Sequence, residues 1–184
     1  MTIEHELIAS ALEGDGRAFA SLVAPHLPML YRIAARACGS RALAEDAVQE
    51  TLTIAYTSLA RFRPNSSLKA FLAAIATSRA QTLLRSERRR RKSEEQALPG
   101  ERASEPSELL DAERLSARIR HALAAMPQKR QKVVLLRLDA ALSYAEIALA
   151  LGTTEGSARV LLHLGLRELK ELIDREQSEQ GAER

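Results

Sequence analysis

Apolar residues return at three- and four-residue steps through most of this chain, and no run of them alternates with polar ones. Leu43, Ala47, Val48, Leu52, Ala55 and Leu59 form one such stripe, with Glu45, Asp46, Gln49 and Glu50 opposite. That period is helical. Leu68, Phe71, Leu72, Ile75, Ala76 and Leu83 form a second stripe, and Phe19, Leu22, Val23, Leu27, Leu30, Ile33 and Ala34 an earlier one. Hydrophobic residues make up 46% of the chain but aromatics only 3%, with no Trp. The core material is therefore Ala and Leu, which favour helix over strand. The expected fold class is all-α.

One segment interrupts the pattern. SEEQALPGERASEPSE holds Pro99, Gly100 and Pro106 among Glu and Ser, and buries too little apolar surface to offset its ordering entropy. It divides the 184 residues into a helical domain over 1–92, a flexible linker over 93–108, a second helical domain over 109–175 and a polar tail over 176–184, expected to fray. Within the first domain, Pro25 and Pro28 should bend a helix. After the break at Arg63-Pro64-Asn65, Ser66 or Ser67 can cap the next one.

The second domain carries the most specific local signal. Ser143-Tyr144-Ala145-Glu146 is a capping box, in which the Ser hydroxyl accepts from the Glu N–H and the carboxylate reaches back. A short helix with Ile147, Ala148 and Leu151 inward follows, and Gly152 can take the left-handed geometry that ends it. Thr153 or Thr154 can cap a further helix through Ala158, Leu162, Leu169 and Leu172. Small Ala at the crossing, then Gly, then a capped helix is the spacing of a helix-turn-helix, though an ordinary αα-hairpin has the same signals.

Charge supports a nucleic-acid partner. The net charge is only +3, yet Arg85, Arg88, Arg89, Arg90, Arg91 and Lys92 place six cations in eight positions. The bland alternative is a solvated charge run. Other chemistries find no support. Cys38 is the one cysteine and lies in an apolar helical stretch, so no disulfide framework exists. His5, His26, His121 and His163 lack metal-ligand spacing, and no cofactor is expected. No Gly-rich phosphate loop or nucleophile elbow occurs, so an enzyme is not expected. The N-terminus lacks the apolar region of a signal peptide and no run has membrane-spanning length, which suggests a cytoplasmic protein.

The segment AEDAVQETL from Ala44 to Leu52, followed by ARFRPNSSLKAFLAAIATSRA and the Arg-rich run, resembles region two of bacterial RNA polymerase sigma factors. AMPQKRQKVVLLRLDAALSYAEIALALG resembles region four of the same family, and the order and length resemble its extracytoplasmic-function (ECF) group. The resemblance implies a transcription initiation factor with core RNA polymerase and promoter DNA as partners and an anti-sigma factor as regulator. It implies that Glu45, Asp46, Gln49 and Glu50 dock on the polymerase. Arg61, Phe62, Arg63, Asn65, Ser67, Lys69, Phe71, Ser78, Arg79 and Arg85 would take the downstream promoter element as its strands separate. Thr154, Ser157, Arg159, His163 and Arg167 would contact the upstream element. The mixture of cations and rings around Arg61 to Phe71 independently suits unpaired bases, and a carboxylate-rich face suits a basic protein surface.

The sequence departs from the family pattern at three places. Trp is absent from the melting helix, where Tyr56 and Phe71 stand. Ser78 and Thr82 replace the frequent Asn and Asp, and one hydroxyl discriminates bases less well than an amide. The reading helix places Val160, Leu161 and Leu164 where polar contacts would be expected, which predicts weak reading of the upstream element and a buried apolar partner surface. Two alternatives therefore stay open: a sigma-like mimic that binds an anti-sigma factor without reading promoters, and a helix-turn-helix repressor.

Overall fold

The computed structural model describes residues 3–62, 67–97 and 111–182, with side chains from 3–62, 67–94 and 114–175. Arg63 and Asn65, two of the expected DNA contacts, lie outside the described residues, as does most of the expected linker. Among the described residues there are nine α-helices, two short 3-10 turns and no strand.

The N-terminal block holds five helices: α1 (Ile3–Leu12), α2 (Gly16–Val23), α3 (Leu27–Cys38), α4 (Arg41–Ser58) and α5 (Leu68–Ala97). Asp15 caps α2, accepting from the Arg17 and Ala18 N–H groups. Pro25 sits in a 3-10 turn at Ala24–His26, the interruption expected of the Pro25/Pro28 pair. Gly39 (φ 76°) ends α3 and Ser40 caps α4, so the two helices turn sharply and pack together. All three expected stripes face one core, in which Leu30, Ile33, Ala47, Leu72 and Ala73 are fully buried.

The C-terminal block contains α6 (Asp111–Ala125), α7 (Gln128–Leu138), α8 (Tyr144–Leu151) and α9 (Glu155–Ala182). Val133, Val134, Leu135, Leu136, Leu142 and Ile147 form its centre. The helices α7 and α9 pack so closely at Gly165 that a Cβ there would lie 2.8 Å from Val134 Cγ2. Arg130 and Glu168 tie the same pair by an ion pair of 2.7 Å.

Two expectations need correction. The linker does not start at 93: α5 continues through Ala97. Arg90 bonds both Glu87 and Glu94 along that helix, and such pairs three and four residues apart support helix without a core. The polar tail is helical through Ala182 as a continuation of α9. The two helical blocks also touch one another. Helix α3 packs on α6 and α7, and α5 packs on α7 and α8.

Candidate polymerase and nucleic-acid interfaces

Helix α4 places its four acidic and amide residues as the stripe requires. Ala44, Ala47, Val48, Thr51 and Ala55 are buried, while Asp46 and Gln49 are exposed. Glu45 accepts from Arg41 at 2.8 Å, and Glu50 pairs with Arg79 of α5 at 3.7 Å. Two of the carboxylates are thus partly neutralised locally, which leaves Asp46 and Gln49 as the open part of the face.

The junction between α4 and α5 brings Phe62 against Phe71, with ring centroids 5.4 Å apart. Both rings are half-buried on the core, and Arg61 beside them is exposed. Ser67 caps α5, its hydroxyl accepting from the Ala70 N–H at 3.3 Å. Further along α5, Ser78 accepts a hydrogen bond from the Lys132 ammonium of α7 at 3.0 Å. Burial and the nearby Arg85 hold that ammonium below its ordinary range.

The helix pair α8 and α9 has the geometry expected of a helix-turn-helix. Glu146 N–H donates to Ser143 Oγ at 3.2 Å, and Ser143 N–H donates to Glu146 Oε2 at 2.8 Å. Gly152 ends α8 at φ 63°. Thr154 rather than Thr153 caps α9, accepting from the Ser157 N–H at 3.1 Å. Ala158 is fully buried at the crossing. Ser157, Arg159, His163 and Arg167 share the exposed side. Arg159 lies over the Tyr144 ring at 5.0 Å, and Arg137 lies over the same ring at 5.1 Å. Tyr144 of α8 thus bridges the guanidinium groups of α7 and α9, a tertiary contact that helical spacing alone cannot reveal.

One expectation about this helix changes. Leu161 and Leu164 are half-buried, and Leu161 packs on the core, so the apolar reading face reduces to Val160, 58% exposed.

Residues 22–90 match the Sigma-70 region 2 family, and residues 116–169 match Sigma-70, region 4. The chain is 31% identical to the RNA polymerase sigma factor CarQ of Myxococcus xanthus over 88% of its own length and 92% of that protein. It is likewise 31% identical to the ECF RNA polymerase sigma factor SigE of Mycolicibacterium smegmatis, over 90% of this chain and 66% of that one. The chain belongs to the ECF sigma factors. Its fold matches the sigma factor RpoE solved in complex with the anti-sigma factor NepR from Bartonella quintana, with a TM-score of 0.62 at 23% identity over 85% of this chain and 96% of that one. The boundaries of the two sigma regions fall inside the two helical blocks, so the polar face of α4 and the stripe of α5 belong to region 2 and the helix-turn-helix to region 4. Sigma factors are non-enzymatic initiation factors. Among the described residues no cluster of metal-ligating side chains occurs, and no helix is long and apolar enough to cross a membrane.

Proposed function

We propose that this ECF sigma factor acts by holding core RNA polymerase through the exposed part of the α4 face and presenting two DNA contacts to a promoter. In this reading Asp46 and Gln49, flanked by Glu45 and Glu50, meet a basic polymerase surface. Arg61, Arg63, Asn65, Ser67, Lys69, Ser78, Arg79 and Arg85 hold the separated downstream strand, with Phe62 and Phe71 offering ring edges to its bases. Thr154, Ser157, Arg159, His163 and Arg167 contact the upstream element. Binding to polymerase and capture of single strands supply the free energy for melting, so no nucleotide hydrolysis and no cofactor is required of this chain. An anti-sigma protein is the expected regulator, the kind of partner that RpoE carries.

The observation that carries the reading is the doubly capped pair α8 and α9, with Arg159 held against Tyr144 on the exposed side of the second helix. A guanidinium fixed on a ring is already oriented for a base edge or phosphate, so less side-chain freedom is lost on binding. Run-off transcription with purified core polymerase tests it. New start sites should appear only when this chain is added, and Arg159→Ala should reduce their use about tenfold, the loss of one good polar contact. A sigma-like mimic is the second reading, favoured by the apolar surface at Val160 and Leu149, which are 58% and 55% exposed. It predicts no new start sites and tight binding to an anti-sigma partner.

A further inference from the structure

Helix α5 runs on past the last of its expected strand contacts. Phe71, Ser78 and Arg85 recur at seven-residue steps, close to two helical turns, and so share one side of it. Arg89 and Lys92 follow Arg85 at steps of four and three on that same side. We infer that Arg89 and Lys92 form a further binding site, one that holds the phosphodiester backbone of duplex DNA beside the strand taken by the first half of α5. The inference rests on the strand assignment proposed above.

The run from Arg88 to Lys92 is uniform in sequence, but the structure divides it. Arg90 pairs with Glu87 at 3.0 Å and with Glu94 at 2.8 Å, and Arg91 pairs with Glu87 at 2.9 Å. Helical spacing turns Glu87, Arg90 and Glu94 to the side opposite Arg85 and Lys92. Arg88 donates to the Ala124 carbonyl at 2.9 Å. Arg89 and Lys92 are exposed, and among the described residues neither takes part in an ion pair. The acids therefore stand away from the strand contacts, and the side that continues those contacts keeps cations alone. Like charges three and four residues apart repel one another, a cost that a bound anion removes.

The chemistry along this side selects the anion. Its first half presents the Phe71 ring and the Ser78 hydroxyl, groups that suit unpaired bases. Its second half presents Arg85, Arg89 and Lys92, with no ring for a base to stack on. Contacts of that kind position a nucleic acid without reading it. From Arg85 to Lys92 the helix advances about 10 Å, close to three phosphate steps along one strand of a duplex. A backbone-only contact at the end of a base-holding stripe fits the point where paired DNA meets the separated strand.

Fluorescence anisotropy with the full-length chain tests the site, using one arbitrary 25-base-pair duplex and the matching single strand across a range of KCl. Arg89→Gln with Lys92→Gln should weaken duplex binding at least fivefold at low salt. It should also lower the slope of log affinity against log salt by about 1.8, two phosphate contacts at about 0.9 each. Arg90→Gln with Arg91→Gln removes the same formal charge and should cost less than twofold. Arg89→Lys with Lys92→Arg keeps both cations and should bind as the wild type does. Equal losses in the two Gln pairs, an unchanged salt slope, or no duplex binding by the wild type would overturn the site. A loss as large on the single strand as on the duplex would overturn its assignment to paired DNA. Arg61→Gln tests the underlying reading separately: it should weaken single-strand binding alone. If it does not while the Arg89 and Lys92 losses appear, the strand assignment fails and the duplex site stands.

Discussion

Cys38 sits at the end of α3, buried against α5, where its thiol donates weakly to the Ala80 carbonyl at 3.7 Å. Burial, with Asp46 adding to it, pushes the thiol from its ordinary 9.0 up to about 12. The folded chain keeps the proton through a range in which the unfolded chain has lost it. Stability should therefore fall as pH rises from about 9 to about 12, by up to ~1.4 kcal/mol per pH unit. Native protein at pH 8 should resist iodoacetamide and react once urea is added, and Cys38→Ala should flatten the alkaline decline. Gly165 gives a second prediction at this scale. Ala in a helix interior normally gains about 0.5–1 kcal/mol over Gly. Here the added Cβ would meet Val134, a stiff β-branched side chain fully inside the core. Gly165→Ala should instead destabilise by roughly 1–3 kcal/mol in urea unfolding. Adding Val134→Ala should recover part of that, a coupling that independent sites would not show.

Among the elements, α8 is the most exposed to the loss of a single cap. It spans Tyr144–Leu151, and Ser143 with Glu146 satisfies both ends of its first turn. So short a helix has little intrinsic stability, and its cap is a large part of what defines its start. Ser143→Ala should cost about 1 kcal/mol by thermal or urea unfolding. Most of what local rules govern was legible in advance: the capping box, Gly152, the cap on α9, the stripes of α3 to α5 and the buried place of Cys38. Each depends on residues within four positions of one another. The helical extension of α5 to Ala97 was missed because composition favoured a linker, while the pairs that Arg90 makes with Glu87 and Glu94 favoured helix. The inward turn of Leu161 and Leu164 was missed for a different reason. It depends on how α9 packs on its neighbours, a tertiary arrangement that carries no periodic signal. The contacts of Arg36, Gln81, Lys132 and Asp139 join residues from 47 to more than 100 positions apart, where periodicity says nothing.

For the whole molecule, the contact of Asp139 with Arg36 across the two helical blocks carries its own pH dependence. Burial raises the Asp139 carboxyl above its ordinary value, and the opposing attraction of Arg36 and Arg32 does not cancel it. The closed form thus binds a proton at pH values where the open, solvated form is still ionised. Closure is weakest at neutral pH and should strengthen as pH falls toward the ordinary carboxylate range. Glu146 works the other way: its own cap, with Ser67 and Lys69, holds it below its ordinary value, so its contribution is lost only when pH falls beneath that value. Between these limits Asp139 governs. Burial also lowers His26 from its ordinary value, with Glu4 opposing the shift and Lys69 adding to it. Asp139→Asn separates the two. Scattering from the wild type should show a smaller radius of gyration at pH 5 than at pH 7.5. The Asn variant, neutral at both, should show the same value at each; a pH response that survives in it would move the switch to His26 and away from Asp139.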